Sequence, residues 1–165
     1  MASLARFPAL AAFLAGGSST WRHLNVAAGE LLSLCEREEL SALVYQRLTE
    51  SGSTDGWPLD VREALVERAR GRAGEELLRA GETRAVLDAL GRAGVWPMLI
   101  KGTPLAYGWY GTPASRPRDD TDVLIPAAQA ETARRVMASL DYVTTVQCSD
   151  VFSQFEVQKT DHLGV

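Results

Sequence analysis

The chain has few of the residues on which secreted, zinc-binding and membrane proteins depend. Its 165 residues include two cysteines, Cys35 and Cys148, and two histidines. Two cysteines so far apart exclude a disulfide framework and a cysteine-rich zinc site, and we expect both to be reduced thiols. No apolar run approaches the roughly 18 residues that a membrane span needs. Segment 1–17 loosely resembles a signal peptide, but Pro8 stands early and no small-x-small cleavage site follows. We therefore predict an amphipathic helix there and a cytoplasmic protein.

The sequence also lacks an excess of positive charge. Its net charge is −4, with 23% charged and 46% hydrophobic residues. These fractions are typical of a globular protein and exclude a disordered chain. The negative balance argues against an extended nucleic-acid surface, although it leaves room for a local basic pocket.

Helical periodicity dominates the first half of the chain. Apolar residues recur three or four positions apart, and they predict helices over 4–14, 26–37, 38–49 and 60–91. The last of these would be roughly 45 Å long at 1.5 Å per residue, with Asp60 as its N-cap and Glu63 completing a capping box. Three glycines near one face of this helix predict close helix packing; they are Gly71, Gly74 and Gly81.

The second half changes to short apolar runs separated by helical segments. Its pattern predicts β-α-β-α-β-β, with the elements at 95–100, 104–109, 121–125, 126–140, 142–146 and 152–157. This order indicates an α+β fold with an α/β layer. We therefore predict a helical N-terminal region, 1–92, and a core with a mixed β-sheet and flanking helices, 93–165.

Two carboxylates stand two residues apart at the start of one apolar run. In a strand, side chains two residues apart share a face, so Asp120 and Asp122 would converge while Thr121 turns away. Neighbouring anions repel each other unless a cation lies between them. A hard divalent ion such as Mg²⁺ prefers oxygen ligands and binds together with phosphates, so the pair predicts a metal site.

The surrounding residues resemble a known family. An apolar-Lys101-Gly102-Thr103 segment is followed by Leu105, Tyr110 and Arg116, and then by Asp120-x-Asp122 and three apolar residues. This pattern resembles an uncharacterised bacterial nucleotidyltransferase family of the DNA polymerase β-like superfamily. The resemblance covers 78–165 well and the helical first half loosely. Thr121 replaces the family's usual aliphatic residue, but it is β-branched and still suits a strand.

The resemblance implies transfer of a nucleoside monophosphate from an NTP, with ATP as the expected donor, to a hydroxyl-bearing acceptor. Asp120 and Asp122 would bind Mg²⁺ or Mn²⁺. Gly102 and Thr103 match the superfamily's phosphate-binding turn, where Gly102 admits the phosphate close to the backbone and Thr103 donates a hydroxyl.

Two cationic residues in the motif leave alternatives open. Lys101 either binds phosphate or lies at a strand edge with its amine in water. Arg116 either binds phosphate as a bidentate fork or orients one of the aspartates through an ion pair. We expect the aromatic residues Trp96, Trp109 and Tyr110 to serve in packing rather than in base stacking.

One part of the family pattern is missing. The superfamily uses a third carboxylate on a later strand, and this family places it in an acid-apolar-His-Trp segment that does not occur here. Glu156 is the best candidate within the chain, because Asp150 and Asp161 stand in predicted turns. We expect the 165 residues to be the N-terminal part of a longer protein, with the third acid beyond Val165.

A second hypothesis keeps the fold without the chemistry. In it the chain is a nucleotide-binding or partner-binding regulatory module, similar to antitoxins, and the helical half holds the partner. In the first hypothesis the acceptor is a small molecule or a protein side chain. RNA is the acceptor that the acidic balance favours least.

Overall fold

The computed structural model describes residues 7–17, 20–52, 54, 56–146 and 155–159, with the side chain of Val146 left out. The helices are α1 Pro8–Leu14, α2 Trp21–Leu24, α3 Ala28–Arg37, α4 Ser41–Glu50, α5 Leu59–Arg92, α6 Gly102–Trp109 and α7 Ala130–Ser139. The strands are β1 Met98–Leu99, β2 Val123–Leu124, β3 Tyr142–Val146 and β4 Glu156–Lys159, and short 3-10 helices cover Pro113–Ser115 and Ala127–Gln129. The α+β class and the order β-α-β-α-β-β are confirmed. Within the described ranges no helix is both long and apolar enough to cross a membrane.

The described strands form two separate antiparallel pairs. Strand β1 pairs with β2, with Met98 opposite Leu124. Strand β3 pairs with β4, with a register shift between Thr144 and Val146. The mixed sheet of a nucleotidyltransferase core therefore stays a prediction. Of the predicted elements, residues 4–6 of the first helix and 152–154 of the last strand lie outside the described residues.

The chain forms two compact units. The first comprises Met1–Leu78 and Gly102–Asp120, and the second Arg79–Lys101 and Thr121–Val165. These units are defined by spatial contacts, whereas the predicted division at residue 92 rests on composition and stays a prediction.

The core of the first unit is built from the apolar faces of α1 to α5. In α3, for example, Leu31, Leu34 and Cys35 are buried at the spacing of one helical face. The cluster also brings together the rings of Trp57 and Phe13, whose centroids are 5.8 Å apart. Its buried members are Leu10, Phe13, Leu24, Val26, Leu31, Leu34, Cys35, Val44, Leu48, Trp57, Val61 and Leu65.

The turn between α3 and α4 corrects the predicted start of α4. The N–H of Leu40 donates to the carbonyl of Cys35 at 2.9 Å, and Glu39 adopts a left-handed φ of 54°. This is a Schellman turn, which ends α3 and keeps residues 38–40 out of the next helix. Glutamate replaces the usual glycine at its left-handed position, so no sequence signal marked the turn.

Helix α5 matches its predicted extent, but two predictions about it are wrong. It begins at Leu59, where the N–H of Arg62 already donates to the carbonyl of Pro58; Asp60 therefore lies inside the first turn and is not the N-cap. The three glycines do not mark close packing either. A Cβ placed on any of them would meet nothing within 4 Å among the described residues, and they are Gly71, Gly74 and Gly81.

Within the described ranges, the core of the second unit has fewer buried residues, and it begins at the end of α5. Gly94 has a φ of 75°, and the N–H of Val95 donates to the carbonyl of Leu90 at 2.9 Å. This second Schellman turn buries Val95 and leads the chain into β1. The buried members of this core are Val86, Leu90, Val95, Ala133 and Met137.

Candidate functional site

The predicted site residues are divided between the two units. Lys101 and Asp122 belong to the second unit, and Gly102, Thr103, Arg116 and Asp120 belong to the first.

In the second unit, Lys101 forms an ion pair with Asp122. The N–H of Ile100 donates to the carbonyl of Asp122 at 3.1 Å, which extends the pairing of β1 and β2 up to the motif. Lys101 then adopts a left-handed φ of 55°, and its Nζ lies 2.7 Å from Oδ1 of Asp122. The amine therefore contacts a carboxylate while the lysine side chain stays 65% exposed, so both alternatives for Lys101 stay open.

In the first unit, the Gly-Thr turn forms the first turn of α6. The helix begins at Gly102, two residues earlier than predicted, and Pro104 is tolerated because it lies in the first turn. The first N–H groups of a helix have no partner inside it. Thr103 is buried, and its hydroxyl has no hydrogen-bond partner in the part of the chain that the structure describes. These groups are donors that a phosphate could use.

Arg116 lies beside an aromatic ring. Its Cζ is 6.0 Å from the ring centroid of Tyr110, and its buried Nε has no partner among the described residues. Within the same range no ion pair joins Arg116 to Asp120, so this unit does not bear out the orienting role for that carboxylate.

A second arginine, Arg118, stands two residues after Arg116, and the sequence analysis did not predict a role for it. The side chain of Arg118 is 4% exposed, and its Nη2 lies 2.8 Å from Oε1 of Glu76. The Tyr107 hydroxyl donates to the same oxygen at 2.8 Å, and Arg118 Cζ lies 5.6 Å from the Tyr107 ring centroid. Burial, followed by the hydrogen bond to Glu76, raises the pKa of Tyr107. Arg118 stands in the Arg-Pro-Arg segment, but its partner Glu76 is 42 residues away along the chain. Because no motif connects the two residues, the sequence could not predict their ion pair.

The carboxylates of Asp120 and Asp122 are suitable ligands for Mg²⁺, but they are joined by no third protein ligand among the described residues. Asp120 and Asp122 supply oxygen ligands, and Mg²⁺ is commonly held by one or two carboxylates together with phosphate oxygens. Within residues 7–17, 20–52, 54, 56–146 and 155–159, no group of three or more potential ligands comes together. Glu156 is exposed on β4 and joins no such group, while Asp150 and Asp161 lie outside the described residues.

The packing role predicted for two tryptophans is wrong. Trp96 is 78% exposed and Trp109 is 83% exposed. Trp109 is the last residue of α6, and Trp96 precedes β1, so neither stands on the buried face of a regular element. Tyr110 is half-buried beneath Arg116.

The comparisons with known proteins identify the family. Residues 25–162 match the model of a family described as an uncharacterised nucleotidyltransferase. The chain belongs to this family. The matched residues include the Lys-Gly-Thr segment and both aspartates of the motif. The match therefore confirms the resemblance to a nucleotidyltransferase family that the sequence indicated. Searches of curated proteins and of solved structures found no match for the chain.

Proposed function

We propose that this protein is a metal-dependent nucleotidyltransferase that moves a nucleoside monophosphate from an NTP, ATP in the first instance, to a hydroxyl-bearing acceptor. The observation that carries the proposal is the family match over residues 25–162, which includes all the residues of the motif. The placement in the polymerase β-like superfamily and the core at 93–165 are part of the same proposal.

The donors at the start of α6 would bind the polyphosphate. Gly102 and Thr103 offer N–H groups at a helix N-terminus, where the helix dipole favours an anion. Lys101 and Arg116 add positive charge, the first as a point charge and the second as a planar fork. In these roles the residues position the nucleotide and neutralise the charge that develops during phosphoryl transfer.

Asp120 and Asp122 would hold Mg²⁺ or Mn²⁺. When bound, the metal supplies charge neutralisation at the phosphates and activation of the acceptor hydroxyl. Asp122 pairs with Lys101 at 2.7 Å, so a metal ion would have to replace this ammonium as the partner of the carboxylate. The acceptor remains a small molecule or a protein side chain in this proposal.

The test replaces both carboxylates without changing their shape. We expect the double variant Asp120→Asn/Asp122→Asn to lose transfer of α-labelled nucleotide by at least about 100-fold, because a metal supplies several kcal/mol of transition-state stabilisation. Asp119→Asn is the matched control, since Asp119 is an exposed neighbour of the pair. Mn²⁺ binding in the presence of ATP, followed by electron paramagnetic resonance, gives a readout that needs no acceptor. Unchanged transfer and Mn²⁺ binding in the double variant would reject the proposal.

A second candidate is a regulatory module that binds nucleotide or a partner without turnover. The observation that favours it is the lack of a third carboxylate near the pair among the described residues. In this case the protein would bind Mn²⁺ and ATP but would transfer no label to any acceptor offered. The same measurements therefore separate the two candidates.

A further inference from the structure

At the first turn of α6, in the first unit, lie several donors that have no hydrogen-bond partner in the described part of the chain. Arg118 packs over Gly102, since a Cβ on that glycine would lie 3.6 Å from Cδ of Arg118. The Nε of Arg118 is bonded to that Cδ, and both Nε and Nη1 are buried without a hydrogen-bond partner among the described residues. The hydroxyl of Thr103 is the third such group. The cluster thus combines a helix N-terminus with a buried guanidinium and a buried hydroxyl.

These groups are costly to bury unless a ligand completes them. Buried polar atoms are nearly always hydrogen-bonded, and an unsatisfied one costs about 1–3 kcal/mol, or more when it is charged. Three atoms of this kind beside a single turn therefore indicate a ligand that accepts hydrogen bonds and carries negative charge. A phosphate group meets both requirements.

Glu76 explains why the arginine is tolerated without that ligand. Its Oε1 accepts from Nη2 of Arg118 and from the Tyr107 hydroxyl, at 2.8 Å each. The carboxylate therefore compensates the charge of Arg118 from one side. Nε and Nη1, which bond to none of the residues that the structure describes, are left for another acceptor.

We propose that Arg118 is a further phosphate-binding residue beside the turn already assigned to Gly102 and Thr103, and that Glu76 is the counter-ion that holds Arg118 in place. The ligand is the polyphosphate of the nucleotide, so the inference rests on the proposed function and adds Arg118 and Glu76 to it. Because the donor atoms are buried, the neighbouring side chains must move to admit the phosphate.

The test measures the binding of inorganic tripolyphosphate by calorimetry in EDTA, which removes metal ions. Thr103→Val keeps the shape and removes the hydroxyl. We expect it to weaken tripolyphosphate binding roughly tenfold, as the loss of a hydrogen bond to a charged group would. Its melting temperature should stay the same or rise, because the hydroxyl bonds to none of the described residues in the ligand-free protein.

Substitution of the counter-ion, Glu76, should change the affinity for tripolyphosphate in the opposite direction. Glu76→Gln keeps an oxygen for Tyr107 and Arg118 but removes the negative charge that competes with the phosphate. We expect tripolyphosphate to bind roughly tenfold more tightly, together with a lower melting temperature. Glu75→Gln is the matched control, because it makes the same charge change one residue earlier, at a residue paired with Arg72 instead.

The outcomes separate this inference from the proposed function. If Glu76→Gln behaves like Glu75→Gln, Arg118 and Glu76 form only a structural ion pair and the inference is overturned, whatever the result with Thr103→Val. A wild-type protein that does not bind tripolyphosphate overturns it as well. If both variants behave as expected but no label is transferred, the subsite stands and the proposed transferase activity fails.

Discussion

At the scale of single residues, Glu82 is the carboxylate that connects α5 to both strands of the β3–β4 pair. Its Oε1 accepts from the Tyr142 hydroxyl at 2.9 Å and from Nζ of Lys159 at 2.7 Å. These hydrogen bonds, first that of Lys159 and then that of Tyr142, lower the pKa of Glu82. We expect Glu82→Gln to lower the free energy of unfolding at pH 7 by about 1 kcal/mol, the upper end for a partly exposed pair.

The pH dependence of that difference has a definite sign. The folded-state pKa of Glu82 lies below its unfolded value, so the ionised carboxylate stabilises the protein above the unfolded pKa. This contribution is lost as the pH falls through the lowered pKa. Urea unfolding at pH 7 and pH 3 should therefore show a difference between wild type and variant that shrinks in acid. Asp88→Asn, at an exposed position of the same helix, controls for general charge effects; an equal loss there would contradict the assignment to Glu82.

The motif also shows how far residues can be predicted before their partners are known. Lys101 and Asp122 belong to one pattern, so the sequence could assign both to one site, yet it could not show that they form an ion pair across 21 positions. Because Arg116 fits the family pattern, the sequence predicts Arg116 and not Arg118 as the phosphate-binding arginine. Arg118 stands at a position that the pattern leaves open, and its burial depends on Glu76 of α5, a long-range contact that no local signal indicates.

At the scale of elements, α5 carries leucines in contrasting environments. Leu65 is fully buried in the core of the first unit, whereas Leu77 is 74% exposed. We expect Leu65→Ala to cost about 2–5 kcal/mol of stability, because it removes buried methyl groups and leaves a cavity. The same substitution at Leu77 should stay within about 0.5 kcal/mol. Denaturant unfolding of the two variants checks this, and a comparable loss at Leu77 would mean that its side chain is covered in solution.

Elements with a strong period were predictable, and short ones were not. Helix α3 follows the helical spacing of its buried residues Leu31, Leu34 and Cys35, and β3 follows a run of aromatic and β-branched residues over Tyr142–Val146. Helix α2 was missed because four residues are too few to show a period. Strands β1 and β2 are shorter than their apolar runs, since only two residues of each pair with the other strand.

At the scale of the whole molecule, the described residues of the two units form cores of unequal size. Helices α3 and α7 have ten residues each, which makes them a matched pair. Helix α3 buries Leu31, Leu34 and Cys35 at 1% exposure or less, whereas α7 buries Ala133 and Met137, at 2% and 8%. Less apolar area is therefore removed from water around α7, so less free energy opposes its local opening.

We expect this difference to appear in native-state hydrogen exchange. After correction for intrinsic rates, the amides of α7 should exchange faster than those of α3, because each helix opens with the stability of its own core. Adding Leu65→Ala, which weakens only the first core, should accelerate exchange in α3 more than in α7. Equal protection of both helices, and an equal loss in the variant, would instead mean that the two units unfold as one cooperative structure. Mass spectrometry of peptides covering Ala28–Arg37 and Ala130–Ser139 distinguishes the two outcomes.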